Sequence, residues 1–352
     1  MNCVVGVDIG SAHMKYCVLD IDKLESRTGI IPLWLSGDRM KMIAESFSFL
    51  VNKKLREYKI MHLGVVSSFE AAFAAEPWKS SEIQNAVLNV ANKYDAYTFN
   101  ERLKLVDMNR EQWVPLSSKY SVGYVASLLL KTGLFIQMNS ASTVIAGVKN
   151  QNYVSINPYK NTSGEGAWIG ALYTPLSTVA EHGMISGRYC NLSPYGAQTE
   201  DIINILFPEK IKKALEKYGA NIDLSYEDSV NRFLQLLGQL PGYNQLCNLE
   251  NQVKLFSLMC YYKILDKIRN MVFQVLSFMD LDFNDTEIII SGVGKDLFLK
   301  ESLRLFSNVK DVEEYLYSDL CINLESFAIA MAIAKEKLNL HIMEGVKTGK
   351  KN

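Results

Sequence analysis

The stretch VVGVDIGSAHMKYCVLD, residues 4–20, decides how the rest of the chain reads. Val4, Val5 and Val7 are a β-branched run that ends in Asp8, Ile9, Gly10 and Ser11, and an extended pattern resumes from Met14 to Leu19. That alternation predicts a β-hairpin closed by a tight turn, with Gly10 free to take angles other residues avoid. An acid at the end of a first strand, a Gly-Ser turn and Lys15 just beyond suit a site for phosphate and a hydrated divalent cation. His13, two residues from Lys15 on the same face of the strand, is a candidate for steering phosphate or moving a proton. The same residues also fit an ordinary hairpin whose Asp and Gly only shape the turn.

At 352 residues the chain has room for two domains, each with its own core. Hydrophobic residues make up 48% and charged residues 21%, a globular composition. Lys and Arg number 37 against 38 acids, so no global field favours nucleic acid or an anionic membrane, and any anion site is local. The 6 cysteines contain no C-x-x-C pair, and with no signal peptide ahead of them they fit a reducing cytoplasm. The longest apolar stretch, 120–138, is broken by Gly123, Lys131 and Gly133 and reads as a helix running into a strand, not as a membrane span.

Further along, residues 28–34 predict a third strand, 39–50 an amphipathic helix capped by Asp38, 60–66 a buried strand, a helix begins at Ser80, and 96–99 and 103–106 are short strands. The pattern then restarts. A helix at 120–130, a strand at 134–138, a polar turn Asn139-Ser140-Ala141-Ser142 and strands at 143–148 and 152–156 repeat the opening hairpin. Helices are expected near 164–180, 196–206, 209–218, 226–238 and 249–279, the last carrying Leu255, Leu258, Met259, Tyr262, Leu265 and Ile268 as a core stripe. A buried strand TEIIIS, 286–291, runs into Gly292-Val293-Gly294 and a helix from Asp296. Glycines there let a ligand or another backbone approach closely. A final helix over 324–338 is expected to pack back on the first lobe, and 345–352 is a basic, disordered tail.

Two α/β lobes that each open with a hairpin resemble the actin, sugar kinase and Hsp70-like ATPase superfamily. The expected fold is therefore a two-lobed α/β actin-like ATPase fold with a helical region, 164–280, in the second lobe. The expected domains are 1–118 together with a returning helix at 322–343, and 119–321. By that resemblance Ser140, Ser142, Thr143, Gly292 and Gly294 join Gly10 and Ser11 as phosphate- or nucleotide-binding positions.

Three motifs narrow the likeness: DIGSAHMK at 8–15, PLWLSGDRM at 32–40 and GEGAWIGALYTP at 164–175. They resemble hydantoinase/oxoprolinase-type proteins of tetrahydromethanopterin-linked one-carbon metabolism, a family that includes the methanofuran-pathway synthase making a (phenoxymethyl)furan-methanamine. The resemblance implies transfer at a diphosphate: a furanmethyl diphosphate joins the phenol of γ-glutamyltyramine, and diphosphate leaves. It implies Mg²⁺ as a cofactor, with ATP the less favoured ligand, and a small phosphorylated substrate. By the resemblance Asp8 anchors metal, Lys15 and the Gly10 and Ser11 amides meet the phosphates and His13 moves or orients a proton, these three side chains carrying the chemistry; Trp34 and Glu165, read from the residues alone, are the candidates for contacting substrate. The chain departs from the family pattern where an acid becomes Gln137, a glycine Asn139, a second acid Val144 and an arginine Tyr173, and Val66-Ser67-Ser68-Phe69 stands for a TGEL segment. Two other readings follow: an ATP-dependent kinase or hydantoinase-like hydrolase, and a non-catalytic binding protein with a decayed cleft. No nucleic acid or membrane partner is expected, and a homodimer is compatible with the sequence.

Overall fold

A computed structural model describes residues 1–10, 13–33, 39–70, 77–108, 110, 113–154, 166–185, 187–218, 224–238 and 246–340. Two compact units divide the chain. The first comprises Met1–Lys131, Asn150–Tyr153 and Val312–Asn352, and the second Thr132–Lys149 and Val154–Asp311.

In the first unit β1 (Asn2–Ile9) and β2 (His13–Asp20) form the hairpin, followed by β3 (Ser26–Pro32), helix α1 (Arg39–Phe49), β4 (Lys59–Ser67), α2 (Pro77–Ala91), β5 (Asp95–Phe99), β6 (Leu105–Asp107) and α3 (Ser118–Leu129). The sheet order is β3-β2-β1-β4-β5-β6. β1 runs antiparallel to β2 with Asp8 opposite Lys15, and parallel to β4 with Gly6 opposite Gly64. Alternation along β1 sends Cys3, Val5, Val7 and Ile9 into a core with Met14, Ile43, Phe47, Leu63 and Phe69. Full burial of each large side chain contributes roughly 1.5–3 kcal/mol.

The opposite face of the sheet, carrying Gly6 and Asp8, receives the last helix of the chain. A Cβ on Gly6 would lie 1.9 Å from the Ser326 carbonyl oxygen, and one on Gly64 2.6 Å from Ile329. The missing side chains are what let that helix sit against the strands.

Beyond Lys131 the elements are β7 (Gly133–Met138), β8 (Thr143–Lys149), the short β9 (Asn152–Val154), which straddles the unit boundary after Tyr153, and then, in the second unit, β10 (Gly166–Ala167), β11 (His182–Ile185), β12 (Arg188–Asn191), α4 (Thr199–Leu206), α5 (Pro208–Lys217), α6 (Tyr226–Leu236), α7 (Leu246–Met279), β13 (Glu287–Ser291), α8 (Lys300–Ser302) and β14 (Val309–Asp311). Its sheet runs β10-β8-β7-β13-β14. The β7–β8 pair is antiparallel, while β13 lies parallel to β7 and β14. Each sheet therefore has an antiparallel hairpin on one side of its central strand and parallel strands on the other, the same topology twice. The first unit closes with α9 (Ser318–Ile322) and α10 (Leu324–Leu338), the helix seated on Gly6 and Gly64.

Several elements differ from the sequence expectation. No helix spans 166–180: Gly166 and Ala167 pair with Val144 and Thr143, and Gly170 lies so close to Ala141 that a Cβ would meet its backbone at 2.4 Å. Tertiary pairing overrides the local helical pattern there. Helix α3, expected to open the second lobe, falls in the first unit, which extends to Lys131. On α7 the apolar stripe is split. Leu265 and Ile268 are buried, but Leu255 is 60% and Tyr262 55% exposed, the core face being Val253, Phe256, Cys260 and Ile264. After Gly294 the chain makes a π-helical turn, Lys295–Leu299, before α8. The tail at 345–352 lies outside the described residues.

Candidate active site in the first unit

Five side chains from four elements and one loop gather where β1 ends. Asp8 closes β1 and is 4% exposed; its Oδ1 accepts a hydrogen bond of 2.5 Å from the Ser118 hydroxyl at the start of α3. Lys15 lies on β2 opposite Asp8, which directs both side chains to one face. Its ammonium is 3.3 Å from Glu325 Oε2 on the first turn of α10 and 4.0 Å from Asp8 Oδ2. Glu70, three residues beyond the end of β4, completes the group. Its Oε1 accepts from the Ser67 hydroxyl at 2.5 Å and from the Trp113 indole N–H at 2.8 Å. Ser67 is fixed in turn through its own amide, which donates to Ser117 Oγ at 3.0 Å.

The electrostatics follow from two carboxyl groups, Asp8 and Glu325, facing one ammonium in a dry environment, with Glu70 close enough to act on Asp8. Burial, reinforced by Glu325, pushes Asp8 up to about 7, against the opposing pull of Lys15 and Ser118. Burial also raises Glu70, opposed by its bonds from Ser67 and Trp113. Burial works against the Lys15 ammonium, but Glu325 and Asp8 outweigh it and hold its pKa above the ordinary value. The cluster thus keeps a fixed positive charge beside one carboxyl, Asp8, raised to about 7.

In the second unit the β7–β8 turn is tied inward. The Ala171 amide donates to the Asn139 carbonyl, and those of Leu172 and Tyr173 to the Ser140 carbonyl. Gln137 Nε2 donates to Asn139 Oδ1 at 3.2 Å, and the Thr143 hydroxyl to the Ile169 carbonyl at 2.5 Å. Gly292 has φ +89, and a Cβ on it would lie 2.3 Å from the Met138 carbonyl oxygen. A Cβ on Gly294 would lie 2.5 Å from the Met138 side chain. Both glycines are thus required by the approach of β7.

Further from the sheet, the buried Asp201 of α4 accepts from Arg232 of α6, whose Nε lies 2.9 Å from Oδ1 and 3.0 Å from Oδ2 and whose Nη2 lies 2.5 Å from Oδ1. Its neighbour Glu200, pushed up to about 7 by burial and by Asp201, has a buried Oε2 without a hydrogen-bond partner among the described residues. Because the folded pKa lies above the unfolded one, the fold binds the proton more tightly, and stability falls as pH rises from about 4.5 through about 7. Glu200→Gln is expected to be more stable than wild type by roughly 2 kcal/mol at about pH 8 and indistinguishable below about pH 4.5, as measured by urea unfolding.

No protein-family model matches the chain. It is 23% identical over 358 residues to the (4-{4-[2-(gamma-L-glutamylamino)ethyl]phenoxymethyl}furan-2-yl)methanamine synthase of Methanocaldococcus jannaschii, covering 95% of this chain and 98% of that protein. Among solved structures, nucleotide-free acetone carboxylase, described in connection with ATP-dependent acetone carboxylation, superposes with a TM-score of 0.50 at 8% identity, covering 93% of this chain and 70% of that one. The inorganic polyphosphate/ATP-glucomannokinase of Arthrobacter sp. strain KM gives a TM-score of 0.45 at 12% identity, over 95% and 99% of the chains. With the sheet topology repeated in both units, the fold is decided. It is the actin-like ATPase fold.

Within this actin-like chain the structure brings Asp8 and Lys15 together and adds Ser118, Glu70 and Glu325, none of which the sequence singled out. Glu325 was hidden because it is 310 residues from Lys15 and sits at the start of a helix whose stretch 327–334 is entirely apolar. The one local signal was an acid in the first turn of such a helix. His13 is buried and pushed down to about 3 by burial and by Lys15, so it is a neutral imidazole and not the group titrating near neutrality that would steer phosphate or move a proton. The Gly10 amide donates to the His13 carbonyl at 2.9 Å, closing the hairpin, and so is not a free phosphate donor. The proton of Thr143 is committed to Ile169. Ser140 and Ser142 lie on a turn held by its backbone, and Gly292 and Gly294 are filled by Met138. Ser11, Trp34 and Glu165 lie outside the described residues.

The donor set does not make a metal site by itself. No group of three or more His, Cys, Asp or Glu is placed to hold a metal among the described residues. One oxygen of Asp8 is taken by Ser118, and the other faces the Lys15 ammonium. The role of metal anchor expected for Asp8 does not fit this arrangement. No helix among the described residues is long and apolar enough to cross a membrane.

Proposed function

We propose that the chain is a transferase acting on a small diphosphate substrate, a diverged relative of the synthase it resembles from end to end. The observation that carries the proposal is that likeness, 95% of this chain against 98% of the relative. The buried Lys15 beside Asp8 and Glu325 supports it. The synthase's name describes an aryl ether, and in the proposed reaction a phenol oxygen bonds to a furanmethyl carbon. The carbon–oxygen bond to diphosphate breaks, and diphosphate departs with the bonding pair. Lys15 would meet the negative charge that grows on the leaving group. Asp8, held near 7 by its surroundings, would take the proton that the phenol releases. Any Mg²⁺ would enter on the substrate's phosphates, since the protein's own donors are already engaged. A cytoplasmic setting and pterin-linked one-carbon metabolism belong to the same proposal.

The test is incubation of the purified protein with a furanmethyl diphosphate and γ-glutamyltyramine. The expected result is release of diphosphate in step with appearance of the aryl ether. ADP formed from ATP with no ether would instead establish the kinase reading.

A further inference from the structure

Helix α7 is apolar on two faces, and the core of the protein covers one of them. On the covered face Val253, Phe256, Cys260 and Ile264 are buried. At 100° per residue, Leu255, Leu258, Tyr262, Asp266, Arg269 and Phe273 share a band about 80° wide on the other side. The four apolar or aromatic members of that band are between 38% and 60% exposed. Single exposed apolar residues are ordinary, but a stripe running about 27 Å along one helix, at 1.5 Å per residue, is an unpartnered packing surface. Both ends are widened by a neighbouring aromatic. Phe283, also exposed, has its ring centroid 6.2 Å from that of Phe273. Beside Leu255, the Lys254 ammonium lies 5.9 Å from the ring of the exposed Tyr226.

We propose that this face of α7 packs against the same face of a second copy of the chain, the two helices running antiparallel about a two-fold axis at the level of Ile264. In that arrangement the stripe is its own complement. Its apolar ends, Leu255 and Phe273, are equally far from position 264, so each end of one helix meets the opposite end of the other. Its middle is polar, with Asp266 Oδ1 accepting from Arg269 Nη1 at 2.8 Å. The axis sets Tyr262 of one copy across from Asp266 of the other, twice over, where a phenol hydroxyl can donate to a carboxylate. One acid and one arginine within each stripe leave no net charge to repel the second copy. A partner of different sequence would not require the stripe to read alike from both ends. A helix face of this length, with its aromatic flanks, lies at the small end of specific interfaces, so the dimer is reversible, with a dissociation constant on the order of micromolar. Dimer formation needs neither ligand nor turnover, so it stands apart from the diphosphate reading.

Sedimentation velocity is run on the full chain at loading concentrations from below to well above micromolar. The expected result is a shift from monomer to dimer mass with rising concentration in wild type, and a dissociation constant about tenfold or more weaker in Tyr262→Glu, which sets carboxylate against carboxylate. Leu255→Glu is the second variant and is expected to weaken the dimer in the same way; both positions are exposed, and circular dichroism verifies that the helices are retained. A wild type that stays monomeric at the highest concentration overturns the proposal and leaves the stripe to a partner of another kind. A dimer that neither variant weakens overturns it as well, because the interface then lies elsewhere. The antiparallel register is read with a short bis-maleimide, wild type giving the background from the native cysteines. Tyr262→Cys, close to the axis, is expected to cross-link to its own copy, whereas Leu255→Cys, about 27 Å along the helix from its counterpart, is not. Failure of Tyr262→Cys to cross-link, or equal cross-linking of Leu255→Cys, contradicts the proposed packing.

Discussion

Gly6→Ala is expected to destabilise the first unit by about 3 kcal/mol or more, because the new methyl group would occupy space already filled by backbone. A Cβ at position 6 lies 1.9 Å from the Ser326 carbonyl oxygen and 3.0 Å from the Ser326 carbonyl carbon. Neither atom can turn aside as a side chain could, so α10 has to lift from β1. Glu325 precedes Ser326 in the chain and would move with it, separating the carboxylate from Lys15. Gly64→Ala is the built-in comparison. Its Cβ meets the side chains of Ile329 and Ile333 at 2.6 and 2.8 Å, which have rotamers to try, so a smaller loss is expected. Chemical denaturation of the two variants reads the difference. A Gly6→Ala protein within about 1 kcal/mol of wild type would mean that α10 is not seated as described.

The second large effect is expected at Lys15. Lys15→Met keeps much of the buried length and removes the ammonium that Asp8 and Glu325 share, and breaking a buried pair in this way costs roughly 3–5 kcal/mol. Part of that cost can be avoided by protonation, because Asp8 already holds its proton up to about 7 and would hold it more tightly without Lys15. The loss in Lys15→Met should therefore be smaller in mild acid and larger at alkaline pH, where Asp8 must ionise. Adding Glu325→Gln removes one of the stranded charges and should recover part of the stability, a coupling that a double-mutant cycle measures directly. Additive losses in the cycle would show that the two side chains do not interact.

Much of the fold was legible because it is written locally. The β-branched run before Asp8, the extended pattern after His13, the strand at 134–138 and the helix over 324–338 are each readable from a few neighbouring residues, and each stands close to where it was expected. The segment after residue 165 was misread because its conformation is set by pairing with β8 and by the contact of Gly170 with Ala141. The site was half legible for the same reason. Asp8 and Lys15 face each other across one hairpin, so their spacing announces them. Ser118 is 110 residues from Asp8 and Glu325 is 310 from Lys15, and only the packing of α3 and α10 brings them to the hairpin. The expected roles of His13, Gly10 and Thr143 failed on burial and on hydrogen bonds that residue type alone does not reveal.

The central claim, that Lys15 is the cation of an anion-binding site, is tested by calorimetric titration of inorganic diphosphate into wild type and into the folded Lys15→Met/Glu325→Gln protein. Saturable binding to wild type, weakened about tenfold or more in the double variant, is the predicted result. Equal affinity in the two proteins, or no binding to wild type, would contradict it.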